Sequence, residues 1–148
     1  MSEMPADDPN SHSASIEVGV PADRAFEFLA DGMKQTHWAL GSWDRRDLGD
    51  GLYSGTSLFD GGELFIRPHG NRDLLLVDYE VGEQPDGLRR LVEARIVPGE
   101  TLNRGADRCV VTLTIWRPAG VSADVWARIY HAFNVEVYMI RGRLELDF

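Results

Sequence analysis

Cysteine and lysine are nearly missing from this chain. Of 148 residues only Cys109 is a cysteine, so no intramolecular disulfide, CxxC pair or cysteine metal cluster can form, and a reducing cytoplasm is the expected compartment. Lys34 is the sole lysine, and arginine supplies the rest of the 15 basic residues. GC-rich codon usage produces that skew without a functional cause, so no arginine counts as an anion clamp on its type alone. Long apolar runs are missing too: the longest purely aliphatic one is Leu74 to Val77, far short of the roughly 18 residues that suggest a membrane span. The N-terminal MSEMPADDPN is acidic and Pro-containing where a secretory signal has a basic stretch followed by an apolar one. Residues 1–13 therefore read as a flexible acidic tail, and 14–148 as a single domain.

The charge balance narrows the partners. Fifteen basic against 24 acidic residues leave a net charge of -9, a field that repels phosphate backbones and anionic headgroups, so neither nucleic acid nor membrane insertion is expected. With 43% hydrophobic and 26% charged residues, the composition is that of an ordinary globular domain rather than a disordered chain.

Periodicity supplies the elements. In Ser15 to Val20, Ile16, Val18 and Val20 share one strand face. Ala22, Phe26 and Leu29 then recur at helical spacing behind Pro21, with Gly32 available as a cap. Met33 to Leu40 is compatible with a second short helix. Turn signals at Asp50-Gly51, Gly61-Gly62, Gly70-Asn71, Pro85-Asp86-Gly87 and Pro98-Gly99 separate six further strands: Trp43 to Leu48, Tyr53 to Phe59, Glu63 to Pro68, Asp73 to Val81, Leu88 to Val97 and Arg108 to Trp116. Alternation turns Val111, Leu113 and Ile115 inward, together with Val92, Ala94 and Ile96 and with Leu75, Val77 and Tyr79; Leu74 and Leu76 fall on the outer face. A long helix runs from the N-cap Ser122 to about Leu146. Trp126, Phe133, Val137, Ile140 and Leu144 form its apolar stripe, Ile129 lies on one shoulder, and Tyr130, Asn134 and Arg141 lie on the other.

The order strand, two short helices, six antiparallel strands and long C-terminal helix resembles the START-like or Bet v 1-like superfamily, also called SRPBCC, which holds the polyketide cyclases. The resemblance rests on IEVGVPADRAFEFLAD at 16 to 31, Trp38, GDGLYSGTSLFDGGELFIRP at 49 to 68 and the helix from Ser122. It implies an α+β helix-grip fold: a curved seven-stranded antiparallel sheet around the long C-terminal helix, with two short helices after the first strand. Residues 14–148 are then one START-like ligand-binding domain whose mostly apolar cavity takes a hydrophobic, lipid-like or polyketide-like small molecule. The alternatives are a cyclase, aromatase or dehydratase acting on such a ligand, and a co-chaperone-like protein-interaction module.

Candidate ligand-binding residues follow from the inward faces. Tyr79, Tyr130 and Asn134 place hydroxyl and amide groups toward the cavity beside Phe133, where a few polar groups in an apolar pocket orient a ligand. Equally, Tyr79 fills core and bonds a backbone carbonyl. Arg67 and His69 share a face with Glu63 and Phe65, while Leu64 and Ile66 share the other. With Phe65 inward, Arg67 and His69 could polarise a ligand oxygen; with Leu64 and Ile66 inward, the slightly favoured parity, both are surface groups. Trp38 and Trp43 flank the junction between the second helix and second strand, where packing explains them as well as ligand stacking does. No two of His37, His69 and His131 have helical chelating spacing, so no metal is expected, and no cofactor motif is present. Asp78, Glu80, Glu93 and Arg95 fall on outward parities, which leaves no catalytic residue assigned. Finally, Ala132, Val135 and Met139 cluster on the back of the long helix and Leu74 and Leu76 on the sheet, two apolar spots that suggest a homodimer.

Overall fold

The computed structural model describes residues 7–146. Within them the chain forms, in order, β1 (Ser11–Val18), α1 (Ala22–Ala30), a 3₁₀ turn (Lys34–His37), β2 (Trp43–Gly49), β3 (Leu52–Thr56), β4 (Glu63–Asn71), β5 (Leu76–Gly82), β6 (Arg89–Pro98), a second 3₁₀ turn (Gly99–Leu102), β7 (Cys109–Trp116) and α2 (Ala123–Glu145). The strands make one antiparallel sheet in the order β1-β7-β6-β5-β4-β3-β2. Since β1 and β2 occupy opposite edges, the chain between them must cross the sheet. That crossing carries α1 and the first 3₁₀ turn over the inner face, beside α2.

The inner face is the one that alternation selects. Cys109, Val111, Leu113 and Ile115 of β7, Ala94 and Ile96 of β6, and Val77 and Tyr79 of β5 are buried, and Trp126, Phe133, Val137, Ile140 and Leu144 of α2 close over them. Ser122 caps α2 by accepting the Val125 N–H at 3.2 Å. Ile66 is also buried, opposite Tyr53, so Leu64 and Ile66 face inward.

β3 ends at Thr56 and not at Phe59, and β4 continues through the expected Gly70-Asn71 turn. Three further elements depart from the sequence pattern, each for a local reason. β1 starts at Ser11, because pairing with β7 continues to Trp116 and is held by Ser13–Thr114 and Ser15–Thr112 hydroxyl bonds of 2.9 and 2.7 Å. Residues 11–13 thus belong to the sheet and not to a tail, whose residues 1–6 lie outside the described ones. β5 starts at Leu76 because Asn71 accepts the Leu74 N–H and Leu75 takes a left-handed φ of 49°, making a turn of the expected strand start. The second helix contracts to one 3₁₀ turn, ended where Trp38 leaves helical geometry at φ -140°.

The buried sector of α2 is also rotated from its expected phase. Ala132 is buried and Met139 half-buried, whereas Asn134 is exposed. The apolar spot expected on the helix back is therefore reduced to Val135, which is 51% exposed, and loses most of its weight as a dimer surface. On the sheet, Leu74 is exposed and Leu76 half-buried.

Candidate functional site

The chain from the 3₁₀ turn into β2 supplies an unusual set of buried polar groups. Gln35 sits in the turn, Trp38 at its end, Ser42 just before β2 and Arg45 within it; all four are buried. Ser42 fits because Gly55 of β3 faces it: a Cβ there would stand 2.1 Å from Ser42 Oγ. Asp44 takes a left-handed φ of 51°, and its N–H donates to Thr36 Oγ1 at 3.1 Å. The bend shifts the β2 register between Trp43 and Arg46 and places Arg45 on the inner face with Tyr53. Opposite, Glu136 projects from α2 and is also buried.

These groups are poorly answered by the protein. Among the described residues six buried side-chain polar atoms have no hydrogen-bond partner, and five of them are Gln35 Oε1, Trp38 Nε1, Ser42 Oγ and both terminal nitrogens of Arg45. The sixth, Arg128 Nε, lies apart on an arginine that reaches Asp60. Arg45 is anchored only through Nε, which donates to the Ser42 carbonyl at 2.9 Å. Each unmet buried polar atom costs about 1–3 kcal/mol, so five of them on the short stretch from Gln35 to Arg45 are a conspicuous departure from ordinary packing.

Burial sets the charges. It pushes the Glu136 carboxyl up to about 8, against the opposing pull of the Leu40 N–H that donates to it and of Arg45. It lowers Arg45 to about 10, while Tyr79, Glu136 and Tyr53 act in the other direction. At neutral pH Arg45 is thus charged while Glu136 is mostly protonated, and the interior holds a guanidinium without a contacting anion. A carboxyl tuned to this range can also give or take a proton near physiological pH.

The residues singled out from the sequence divide between this interior and the surface. Trp38 is in the cluster, its ring edge-on to Tyr79 at 6.1 Å between centroids. Tyr79 is buried, but its hydroxyl donates to the Leu29 carbonyl at 2.6 Å, so it ties β5 to α1 and is not a free anchor. Burial pushes that hydroxyl far above its ordinary pKa and keeps it neutral. Phe133 packs in the core. Asn134, by contrast, is on the surface, where Oδ1 accepts from His12 Nε2 at 2.8 Å, so it does not face a cavity. Tyr130 stands beside it, half-buried between the His12 and Trp126 rings. Arg67 and His69 lie on the outer face with Glu80 and Asp78, and His69 bonds Glu80 directly, which removes both from the interior. Trp43 is 44% exposed at the start of β2, so it belongs to the surface and not to the interior cluster.

Sequence reasoning missed Arg45 and Glu136. A signal for the second existed: at about 100° per residue Glu136 falls about 60° to one side of Phe133, while Asn134 falls about 100° to the other. Following the apolar residues alone put the wrong polar neighbour inside. For Arg45 no signal existed, because Trp43-Asp-Arg-Arg-Asp47 is charged on both parities and a backbone bend decides which arginine turns inward.

Two open clefts lie elsewhere. One of about 450 Å³ runs between the start of β1 and the start of α2, but Trp126 Nε1 already donates to Pro9 and Arg117 to Val121 and Asn10. The other, about 540 Å³, is lined by Glu17, Gly19, Arg108, Arg141 and Glu145, where Arg108 pairs with Glu17 and Glu145 accepts the Gly19 N–H. Their polar groups largely answer one another.

No family model matches the sequence. No curated protein matches it either. Solved structures do match, across nearly the whole chain. A START superfamily protein from Mycobacterium smegmatis superposes with a TM-score of 0.69 at 13% identity, over 93% of this chain and 99% of that one. The Zhui aromatase/cyclase from Streptomyces sp. R1128 gives 0.65 at 17% identity, over 91% and 93%. The Aha1 dimer from Colwellia psychrerythraea gives 0.65 at 12% identity, over 92% and 96%. The chain has the START-like, or Bet v 1-like, helix-grip fold. At such identities the likeness is one of fold, and function has to be argued from the site.

Proposed function

We propose that the protein binds an apolar or aromatic small molecule inside the grip, with the polar end of the ligand at the Arg45–Glu136 cluster. The observation that carries this reading is the concentration of unpartnered buried atoms on Gln35, Trp38, Ser42 and Arg45 within an otherwise apolar interior. A fold selected only for stability would fill those positions with hydrophobic side chains or pair them. A protein-interaction module would need its unpaired groups on the surface, which disfavours that alternative. Glu136 favours a second reading, cyclase, aromatase or dehydratase chemistry on the same ligand, since it is a titratable group inside the grip with a pKa raised to about 8. The single buried thiol of Cys109 fits a reducing cytoplasm.

Native mass spectrometry of the freshly purified chain and titration with the neutral dye Nile red test the binding reading together. Saturable dye binding at one site per chain, displaced by the co-purifying molecule or by a bulky aromatic competitor, is the expected result. Non-saturable dye uptake with no retained small molecule would sink it. The same spectra report the subunit count and so decide the homodimer suggested by Leu74 and Leu76.

A further inference from the structure

Three of the five unpartnered atoms in the cluster, Arg45 Nη1, Arg45 Nη2 and Trp38 Nε1, are nitrogens that can only donate. Their occupant must therefore offer acceptors, which excludes ammonium ions and other cations without a free lone pair. We propose that the Arg45 guanidinium and the Trp38 indole N–H form a receptor for the carboxylate of a hydrophobic acid, whose apolar body packs against the Trp38 and Tyr79 rings. This rests on reading the grip as a small-molecule site and adds the chemical class of the ligand.

The geometry favours a carboxylate over a neutral oxygen. With Nε donating to the Ser42 carbonyl, the guanidinium keeps its two terminal nitrogens as a fork for another partner. A carboxylate matches such a fork with two parallel hydrogen bonds and also supplies the missing negative charge. A ketone or ester supplies lone pairs but leaves the charge unanswered. Glu136 does not take this place, because neither terminal nitrogen has a hydrogen-bond partner. Ser42 Oγ can donate to the same ligand, and Gln35 Oε1, an acceptor, suits a ligand hydroxyl.

The charged and titratable groups acting on this point are Arg45 from β2, Tyr53 from β3, Tyr79 from β5 and Glu136 from α2. Tyr79 stays neutral, and burial raises Tyr53 above its ordinary value as well, so Glu136 is the group that changes charge near neutrality. Above about pH 8 its ionised carboxylate competes with the ligand for Arg45.

The test is calorimetric titration of the full chain at pH 7 with acid and methyl ester pairs: 2-naphthoic, trans-cinnamic and decanoic acid, each beside its ester. At least one acid should bind about 10- to 100-fold tighter than its ester, the range expected for charge-assisted hydrogen bonds. Arg45→Met should abolish that preference with little change in melting temperature, since losing the Nε bond to Ser42 is offset by removing a buried charge, and Trp38→Phe should reduce the preference. Acid binding should weaken above about pH 8, and Glu136→Gln should remove the weakening. Equal affinity for acid and ester, or a preference that survives Arg45→Met, would overturn the receptor while leaving the grip a ligand site. A large drop in melting temperature for Arg45→Met would make Arg45 structural and overturn it too. Failure of every acid and every ester to bind would overturn both readings.

Discussion

Two sets of charged side chains occupy opposite faces of the same sheet, and the protein treats them differently. Outside, His69 meets Glu80, and Arg90 reaches Asp78 at 2.9 Å and Glu80 at 3.9 Å, all with part of each side chain in water. Inside, Arg45 keeps two nitrogens without a partner and Glu136 holds its proton. Outer charges can meet water or one another and need no third party. Inner ones have lost water and gained too little in return. Residue type cannot distinguish the two sets, because arginine and glutamate serve in both. The distinction lies in which face of the sheet excludes water, and it makes one set a surface feature and the other a candidate site.

That comparison stands on α2 covering the inner face of the sheet, and the largest expected effect tests this directly. Phe133→Ala should destabilise the chain by about 3–5 kcal/mol, the range for truncating a buried phenylalanine. Chemical denaturation measures it. A loss below about 1 kcal/mol would put Phe133 on the surface, reverse the phase of α2 and remove Glu136 from the inside.

A smaller effect comes from Glu136, and its sign is opposite to that of most carboxylates. Folding raises its pKa from 4.5 to about 8, so the folded state holds this proton more tightly than the unfolded state does. The group therefore contributes most to stability below about pH 4.5, and that contribution is lost as pH rises through about 8. Glu136→Gln keeps the neutral shape. The stability difference, wild type minus variant, should fall between pH 5 and 8 by at most about 1.4 kcal/mol per pH unit. A difference independent of pH would mean that Glu136 is solvated and that its burial does not hold the proton.

The fold was legible because it depends on patterns that repeat. Val111, Leu113 and Ile115 alternate over a whole strand, and Trp126 to Leu144 keep a helical period for five turns, so individual exceptions cannot disguise the element. The site was much less legible, because it depends on single events. Asp44 bends the backbone and selects Arg45 over Arg46, Gly55 makes room for Ser42, and Glu136 sits inside an apolar stripe that hydrophobic residues alone define. Trp38 was found because an aromatic residue at a junction is a candidate for burial in any case. Asn134 was misplaced by a rotation of α2 that moved its neighbours Ala132 and Met139 under cover, and His12 took up its amide at the surface.

The smallest expected effect lies on the outer face, and its smallness is what the comparison requires. Arg90 is the cation shared by Asp78 and Glu80, with 56% of its side chain exposed. Exposed ion pairs are screened by water and salt and must hold long side chains in place, so Arg90→Ala should cost less than about 1 kcal/mol. The loss should shrink further in high salt, since removing a screened attraction removes less. Apolar ligand binding should be unchanged, because Arg90 belongs to the outer set. Denaturation of wild type and variant at low and high ionic strength gives the first two quantities, and calorimetry with 2-naphthoic acid gives the third. A loss of several kcal/mol insensitive to salt would show that the outer charges are as desolvated as the inner ones, and unpaired burial would then no longer single out Arg45 and Glu136.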